Sequence, residues 1–135
     1  MKSKVENIRF KFRYMKQSDF YIKLLFLLEI SSDLYSLYVK SGHKYLYAKS
    51  LYQNNIRIYS YILGNIAYMM EGELRIKTKY LIIHYLNWFN QFKLVEKSLG
   101  DKINENQKFV FAREQFDIPF PKEVVSIIAK RIIVA

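Results

Sequence analysis

The chain has 135 residues and a mass of 16.3 kDa, which suits one domain with a single core. Because 51% of its residues are hydrophobic and 25% are charged, the composition is globular and not that of a disordered segment. Only four Gly and two Pro are present, too few for the many turns of a β-sandwich or barrel. The composition therefore predicts an all-α fold.

The formal net charge of +10 limits the classes of partner. So basic a chain favours polyanions, namely RNA, DNA or anionic lipid surfaces, because phosphate contacts release condensed counterions. A solvated basic surface with no partner is the alternative. The absence of Cys excludes disulfides, zinc–thiolate sites and thiol nucleophiles, and it suits the cytoplasm. The longest strongly apolar stretch, Leu24 to Leu28, is far shorter than the ~20 residues of a membrane span, so no membrane partner is predicted.

Residues 1–17 differ from the rest of the chain and are interpreted as a short basic N-terminal leader. Between Ile8 and Tyr14, apolar and basic residues alternate with period two, which predicts a short strand with one aromatic and one cationic face. Such an arm can clamp a nucleic acid through Arg9, Lys11 and Arg13. Alternatively, the leader packs its aromatic rings on the domain.

A first helix is predicted from Ser18, a favourable N-cap residue, to about Lys40. Its polar residues Glu29, Asp33, Ser36 and Lys40 form one narrow stripe, and almost every other position is apolar. A surface helix needs only one apolar face, so this helix is either central or shared with another subunit. We therefore predict a homo-oligomer with part of the 20–39 segment at the interface.

Two further long helices are predicted, from about Tyr45 to Met70 and from about Leu74 to Leu99, after a turn at residues 41–43. Helical spacing gives the helix from Tyr45 a polar face, and it gives the helix from Leu74 a core stripe on a different side from its lysines. The residues expected to be largely buried across the bundle are Leu28, Tyr59, Leu81, Trp88 and Phe92.

Asn104 and Gln107 resemble a capping box and predict a fourth helix that ends before Pro119. A short C-terminal helix is predicted from Lys122 to about Val134, although its β-branched residues also permit a strand. No linker or repeat interrupts the chain. We predict one domain, with the leader at 1–17, the helical bundle at 18–118 and a C-terminal segment at 119–135.

Motifs of catalysis and cofactor binding are largely missing. The two histidines, His43 and His84, have no second metal-ligand type at i+3 or i+4, and the four glycines are scattered singly. A helical RNase of the HEPN type requires Arg and His a few residues apart on one helix, whereas Arg75 and His84 are too widely spaced. We predict that the protein is not an enzyme and binds no metal or cofactor.

The distribution of charge points to phosphate binding. No acid occurs from Leu34 to Met70 or from Leu74 to Val95, so the bases within these stretches of the second and third helices lack acids at i+4. Unpaired like charges repel one another, and a polyanion would neutralise them. The predicted nucleic-acid contacts are Arg9, Lys11, Arg13, Lys44, Lys49, Arg57, Lys79, Lys93 and Lys97.

Four short stretches, in this order, resemble a known family: Leu34–Tyr38, Tyr47–Leu51, Ile103–Gln107 and Glu114–Ile118. The order is similar to that of the accessory variability determinant (Avd) proteins of diversity-generating retroelements, and of the four-helix proteins encoded in rRNA intervening sequences. The resemblance covers about residues 18–118. The proline pair at 119 and 121 and the basic leader depart from the family pattern.

The resemblance implies an antiparallel four-helix bundle, assembled into a pentameric ring with a basic surface. It also implies partnership with a reverse transcriptase and its template RNA. The expected function is therefore that of a non-catalytic accessory subunit that binds RNA or DNA. The alternative is a helical interaction subunit of a larger complex, whose charge meets an acidic protein partner.

Overall fold

The computed structural model describes residues 4–111 and 120–133, with side chains for 16–111 and 120–132. These residues form helices α1 (Lys4–Lys40), α2 (Tyr45–Gly64), α3 (Gly72–Leu99) and α4 (Glu123–Ile133), and a short 3-10 helix (Ile66–Met69) between α2 and α3. The predicted all-α helical bundle is confirmed. An antiparallel order of the whole bundle remains a prediction.

Helix α1 begins at Lys4, so the predicted strand in the leader and the predicted helix start at Ser18 are both wrong. No Gly or Pro occurs before Gly42, and extending an existing helix needs only one more hydrogen bond per residue. The period-two alternation spans only seven residues, and the strand preference that it indicates is weaker than the tendency of the adjacent helix to extend. In a helix, positions 9, 11 and 13 no longer share one face.

Helices α1 and α2 make the most extensive contact in the bundle, and a polar network fixes their register. The Asn54 amide donates to the Leu27 carbonyl at 3.0 Å and to Ser31 Oγ at 2.8 Å. Ser31 Oγ in turn donates to Asn55 Oδ1 at 2.6 Å. The Phe20 ring lies 5.0 Å from the Tyr61 ring, so contacts follow opposite orders along the two helices. This pair of helices therefore runs in opposite directions.

The core consists of two clusters of buried side chains. In the first, α1 and α2 pack with α3 and α4 around Leu24, Ile58, Leu81 and Ile128. The second, nearer the α1–α2 turn, contains Tyr38, Tyr45, Ala48, Leu51, Trp88, Phe92 and Phe109. Burial is confirmed for four of the five predicted residues, Leu28, Leu81, Trp88 and Phe92, whereas Tyr59 is half-buried against the first cluster.

The predicted fourth helix at 104–118 is wrong for residues 104–111, and residues 112–119 lie outside the described part. Asn104 and Gln107 form a turn in which the Gln107 amide donates to the Asn104 carbonyl at 2.9 Å. The same segment caps the N-terminus of α2. The amides of Tyr45 and Leu46 donate to the carbonyls of Gln107 and Glu105 at 2.8 and 2.9 Å. Lys44 provides no side-chain cap, so these carbonyls satisfy the free amides of the first turn of α2.

The turn from α1 to α2 completes this arrangement. Gly42 and His43 both have positive φ, +80° and +67°, a region that Gly enters freely and a side chain such as His rarely adopts. The carbonyl of His43 accepts a hydrogen bond from the Phe109 amide at 2.7 Å. The turn predicted at 41–43 is thus confirmed, and it holds the segment that caps α2.

The C-terminal helix is confirmed, and the alternative strand is wrong. Helix α4 buries Val124 and Ile128 in the first cluster. Arg131 joins it to the bundle: its guanidinium donates to Tyr21 Oη at 3.0 Å and to the Glu71 carbonyl at 3.1 Å. Tyr21 donates to the Tyr68 carbonyl at 2.6 Å. Burial of β-branched residues against α1 and α3 outweighs their preference for strands.

The boundaries between α2 and α3 also differ from the prediction. Helix α2 ends at Gly64, not Met70, and the 3-10 helix covers most of the difference. Helix α3 begins at Gly72, two residues before the predicted Leu74, and Gly72 has φ +56°. Neither difference moves a predicted site residue.

Alkaline pH is expected to destabilise the fold. Burial raises the pKa of Tyr38 to about 12, and burial together with a hydrogen bond to the Glu96 carboxylate raises the pKa of Tyr45 to about 12. The unfolded tyrosines ionise near pH 10, so between pH 10 and 12 the unfolded state loses protons that the folded state keeps. The urea midpoint should therefore fall across that interval. Tyr45→Phe should weaken this pH dependence, and an unchanged midpoint from pH 9 to 12 would contradict the described burial.

Candidate nucleic-acid interface

Five of the nine predicted contacts are exposed on two adjacent helices. Lys49 and Arg57 project from α2, and Lys79, Lys93 and Lys97 project from α3. Lys44 is half-buried at the start of α2, where its backbone forms an isolated antiparallel bridge with Lys108. The side chains of the other three, Arg9, Lys11 and Arg13, lie outside the described part, and their backbone belongs to α1.

The exposed face of α2 follows from helical spacing. Its core residues, such as Leu51, Ile58 and Ile62, recur at intervals of seven and four and lie against α1 and α3. The predicted polar face is confirmed, because all of its members are exposed: Lys49, Gln53, Arg57, Ser60 and Gly64. The separation of eight residues between Lys49 and Arg57 corresponds to about 12 Å along the helix axis.

The cationic side of α3 carries Arg75, Lys79, Lys93 and Lys97, all exposed, which will be called the cationic strip. Successive spacings of 4, 14 and 4 residues are close to whole helical turns, so the four positions lie within a narrow sector of the helix. Lys79 to Lys97 spans about 27 Å at 1.5 Å per residue, the length of roughly eight base-pair steps of B-DNA. The predictions from sequence did not include Arg75.

Contacts between α2 and α3 place Lys93 at the joint between these helices. Its Nζ lies 5.3 Å from the centroid of the Tyr52 ring and 3.7 Å from Glu96 Oε1. Tyr52 itself stacks on Phe92, with 4.1 Å between ring centroids. An exposed ion pair of this kind is worth about 0–1 kcal/mol, so a phosphate can replace the carboxylate at little cost.

The other four of these exposed bases have no such partner among the described side chains. Lys49, Arg57, Lys79 and Lys97 form no ion pair with any residue whose side chain the structure describes. Helix α2 carries no acidic residue, and α3 carries none between Glu73 and Glu96. Adjacent unpaired cations on α2 and α3 create a positive potential that attracts polyanions.

Apolar side chains that were not predicted from the sequence also reach the surface of α3. Ile76, Ile83 and Leu94 are exposed and lie 7 and 11 residues apart, close to two and three turns. With Tyr80 they form an apolar strip beside the cationic strip. The sequence signal was a second apolar period on α3, additional to the core stripe of Leu81, Tyr85, Trp88 and Phe92.

The described residues provide no obvious catalytic centre. Within them, no group of three or more His, Asp or Glu side chains could hold a metal ion. A shallow, apolar groove with a volume of about 390 Å³ is lined by Ile22, Lys23, Phe26, Leu27 and Tyr61. In the same part of the chain, no helix combines the length and apolarity needed to cross a membrane. These observations do not test the prediction that the protein is not an enzyme.

Comparison of this chain with protein-family models, with curated proteins and with solved structures found no match.

Proposed function

We propose that this protein is a non-catalytic helical bundle that binds nucleic acid, RNA or DNA, through the exposed bases of α2 and α3. The single observation that supports this proposal most is the row of exposed bases on these two helices, of which only Lys93 forms an ion pair with a described side chain. Their role would be to neutralise phosphates. Lysines dispersed along helix surfaces contact the phosphate backbone of a nucleic acid and do not select nucleobases, so little sequence preference is expected.

We further propose, from the resemblance to Avd proteins, that the chain is an accessory subunit of a reverse transcriptase in a diversity-generating retroelement, and that it acts as a homo-oligomer, a pentamer as in that family. The resemblance alone supports the reverse transcriptase. Residues 104–111 are not helical, although the family pattern places the fourth helix there. A reverse-transcriptase gene beside the gene for this chain would support this part of the proposal.

A variant with fewer bases tests the nucleic-acid contacts. Replacing Lys49, Arg57, Lys79 and Lys93 with Gln should weaken binding to structured RNA or duplex DNA at least tenfold at 0.1 M salt, because each lost phosphate contact lowers the salt slope by about one. The loss should be similar for unrelated sequences. Fluorescence anisotropy with labelled RNA hairpins and DNA duplexes of about 20 base pairs measures the affinity.

The matched control removes four other exposed lysines, Lys23, Lys40, Lys122 and Lys130, which lie on α1 or at α4. Both variants change the net charge equally, so the control separates a local surface from overall attraction. All eight side chains are exposed, and both variants should keep the helical circular-dichroism spectrum of the parent. Equal losses in the two variants would contradict a defined α2–α3 surface.

The second candidate function is that of a protein-interaction subunit, and the apolar strip on α3 is the observation that favours it. Exposed Ile and Leu beside lysines match an acidic, amphipathic protein surface better than they match phosphates. Undetectable binding to both RNA and DNA at low salt would place this candidate first.

A further inference from the structure

We infer that the exposed face of α1 in one copy of this chain docks against the exposed face of α3 in a second copy. This inference deepens the oligomeric part of the proposed function. Because the contact uses Arg75, Lys79 and Lys97, which are also proposed phosphate contacts, nucleic acid would compete with a second copy for these bases, and the test is made without it. It is based on two long helix faces that the described part of the fold leaves uncovered. Each face combines exposed apolar side chains with charges of one sign.

The face of α1 is apolar and acidic. Ile22 is 53% exposed, Phe26 is 62% exposed and Leu37 is 45% exposed. The exposed carboxylates of Glu29 and Asp33 lie between them, at spacings of three and four residues that keep all five on one side of the helix. From residue 24 to residue 39, α1 contains no base. This set of five residues will be called the acidic face.

The face of α3 is apolar and basic. It consists of the apolar strip, in which Ile76 is 55% and Leu94 is 58% exposed, and of the adjoining cationic strip. The acidic face runs for about 22 Å along its helix, and the apolar strip for about 27 Å, both at 1.5 Å per residue. The two faces therefore match in length and are opposite in charge.

A groove beside α1 can accept an apolar side chain of the second copy. Ile22, Phe26 and Tyr61 line the shallow apolar groove between α1 and α2. An Ile or Leu side chain from the apolar strip of a second copy fits the apolar character of this groove. The apolar contact would supply most of the affinity, while the charges would select the partner face and its orientation.

Charge also argues against a symmetric pairing of identical faces. Glu29 and Asp33 lie in the middle of the acidic face, so a two-fold pairing of α1 with α1 would bring carboxylates together. Pairing of α3 with α3 would likewise bring two cationic strips together. Pairing of α1 with α3 instead joins opposite charges. Each copy carries both faces, so two copies can exchange both contacts around a two-fold axis, or successive copies can pair head to tail.

A charge swap tests this arrangement. The first variant carries Asp19→Lys, Glu29→Lys and Asp33→Lys, and the second carries Arg75→Glu, Lys79→Glu and Lys97→Glu; all six residues are exposed. Asp19 lies three residues before Ile22 and so on the same side of α1 as the acidic face. Reversing three charges on each of the two helices makes the outcome independent of which acid meets which base. Light scattering after size-exclusion chromatography, at 10–100 µM protein without nucleic acid, gives the mass, and circular dichroism checks the fold.

The parent should be larger than a monomer, and each variant alone should be a monomer, with association weakened at least tenfold. An equimolar mixture should assemble again, because every α1–α3 contact between unlike variants joins opposite charges. A monomeric parent would overturn the inference. So would assembly of the second variant alone, which would show that α3 is outside the contact, or a mixture that stays monomeric while both variants are folded.

Discussion

Replacing Phe109 with alanine is expected to lower the free energy of unfolding by about 3–5 kcal/mol, the usual cost of truncating a buried phenylalanine. Phe109 is fully buried, and its ring lies 5.0 Å from Phe92 and 5.4 Å from Tyr45. Its amide donates to the His43 carbonyl, and its carbonyl accepts from Tyr38 Oη. The substitution would therefore leave a cavity and loosen the segment that caps α2.

Urea denaturation followed by circular dichroism measures this effect. The adjacent Val110 is half exposed, so Val110→Ala is the matched control and should cost less than about 0.5 kcal/mol. Hydrogen exchange should also become faster at the amides of Tyr45 and Leu46, which donate to residues 107 and 105. A loss below 1 kcal/mol for Phe109→Ala would contradict the packing of residues 104–111 on α2 and α3.

The helical elements with strong periodicity could be predicted from the sequence. Core positions of α2 and α3 recur every three or four residues, and the exposed faces follow from the same spacing. The five bases on these helices are therefore exposed, as the spacing predicts, while their role as nucleic-acid contacts stays a prediction. The role of residues 104–111 could not be predicted in this way. Their carbonyls cap a helix that begins 60 residues earlier, and no local pattern reports a partner so distant.

The N-terminal leader shows a different limit. The alternation from Ile8 to Tyr14 predicts a strand only if the segment folds independently of its surroundings. A long helix immediately after it makes helical continuation favourable, since the nucleation cost is already met. A pattern of only seven residues is therefore a weak predictor of secondary structure where no Gly or Pro separates it from a long helix.

On α3 the lysines were identified, but the apolar strip beside them was overlooked. Its signal was present in the sequence, as Ile76, Ile83 and Leu94 fall on one side of the helix. Apolar residues of a helix usually pack in the core, but the core side of α3 is a separate stripe that contains Leu81 and Trp88. A long helix with two apolar stripes indicates two packing partners.

Binding to structured RNA or duplex DNA is expected to fall steeply with salt. About six phosphate contacts, the five exposed bases of α2 and α3 with Arg75, give a log–log slope near −5 for a duplex. Affinity should then fall about a thousandfold between 50 and 200 mM salt, since a fourfold rise in salt is raised to the fifth power. Screening of surface charge in general gives a much shallower dependence.

The salt slope of the parent protein is the most direct measurement of the central claim, that the exposed bases of α2 and α3 bind a phosphate backbone. Anisotropy titrations with one RNA hairpin and one DNA duplex, at five salt concentrations from 50 to 200 mM, provide it. We predict a slope near −5 for the duplex, and near −2 when Lys49, Arg57, Lys79 and Lys93 are replaced by Gln. No detectable binding at 50 mM salt, or a parent slope no steeper than that of the variant, would contradict the claim.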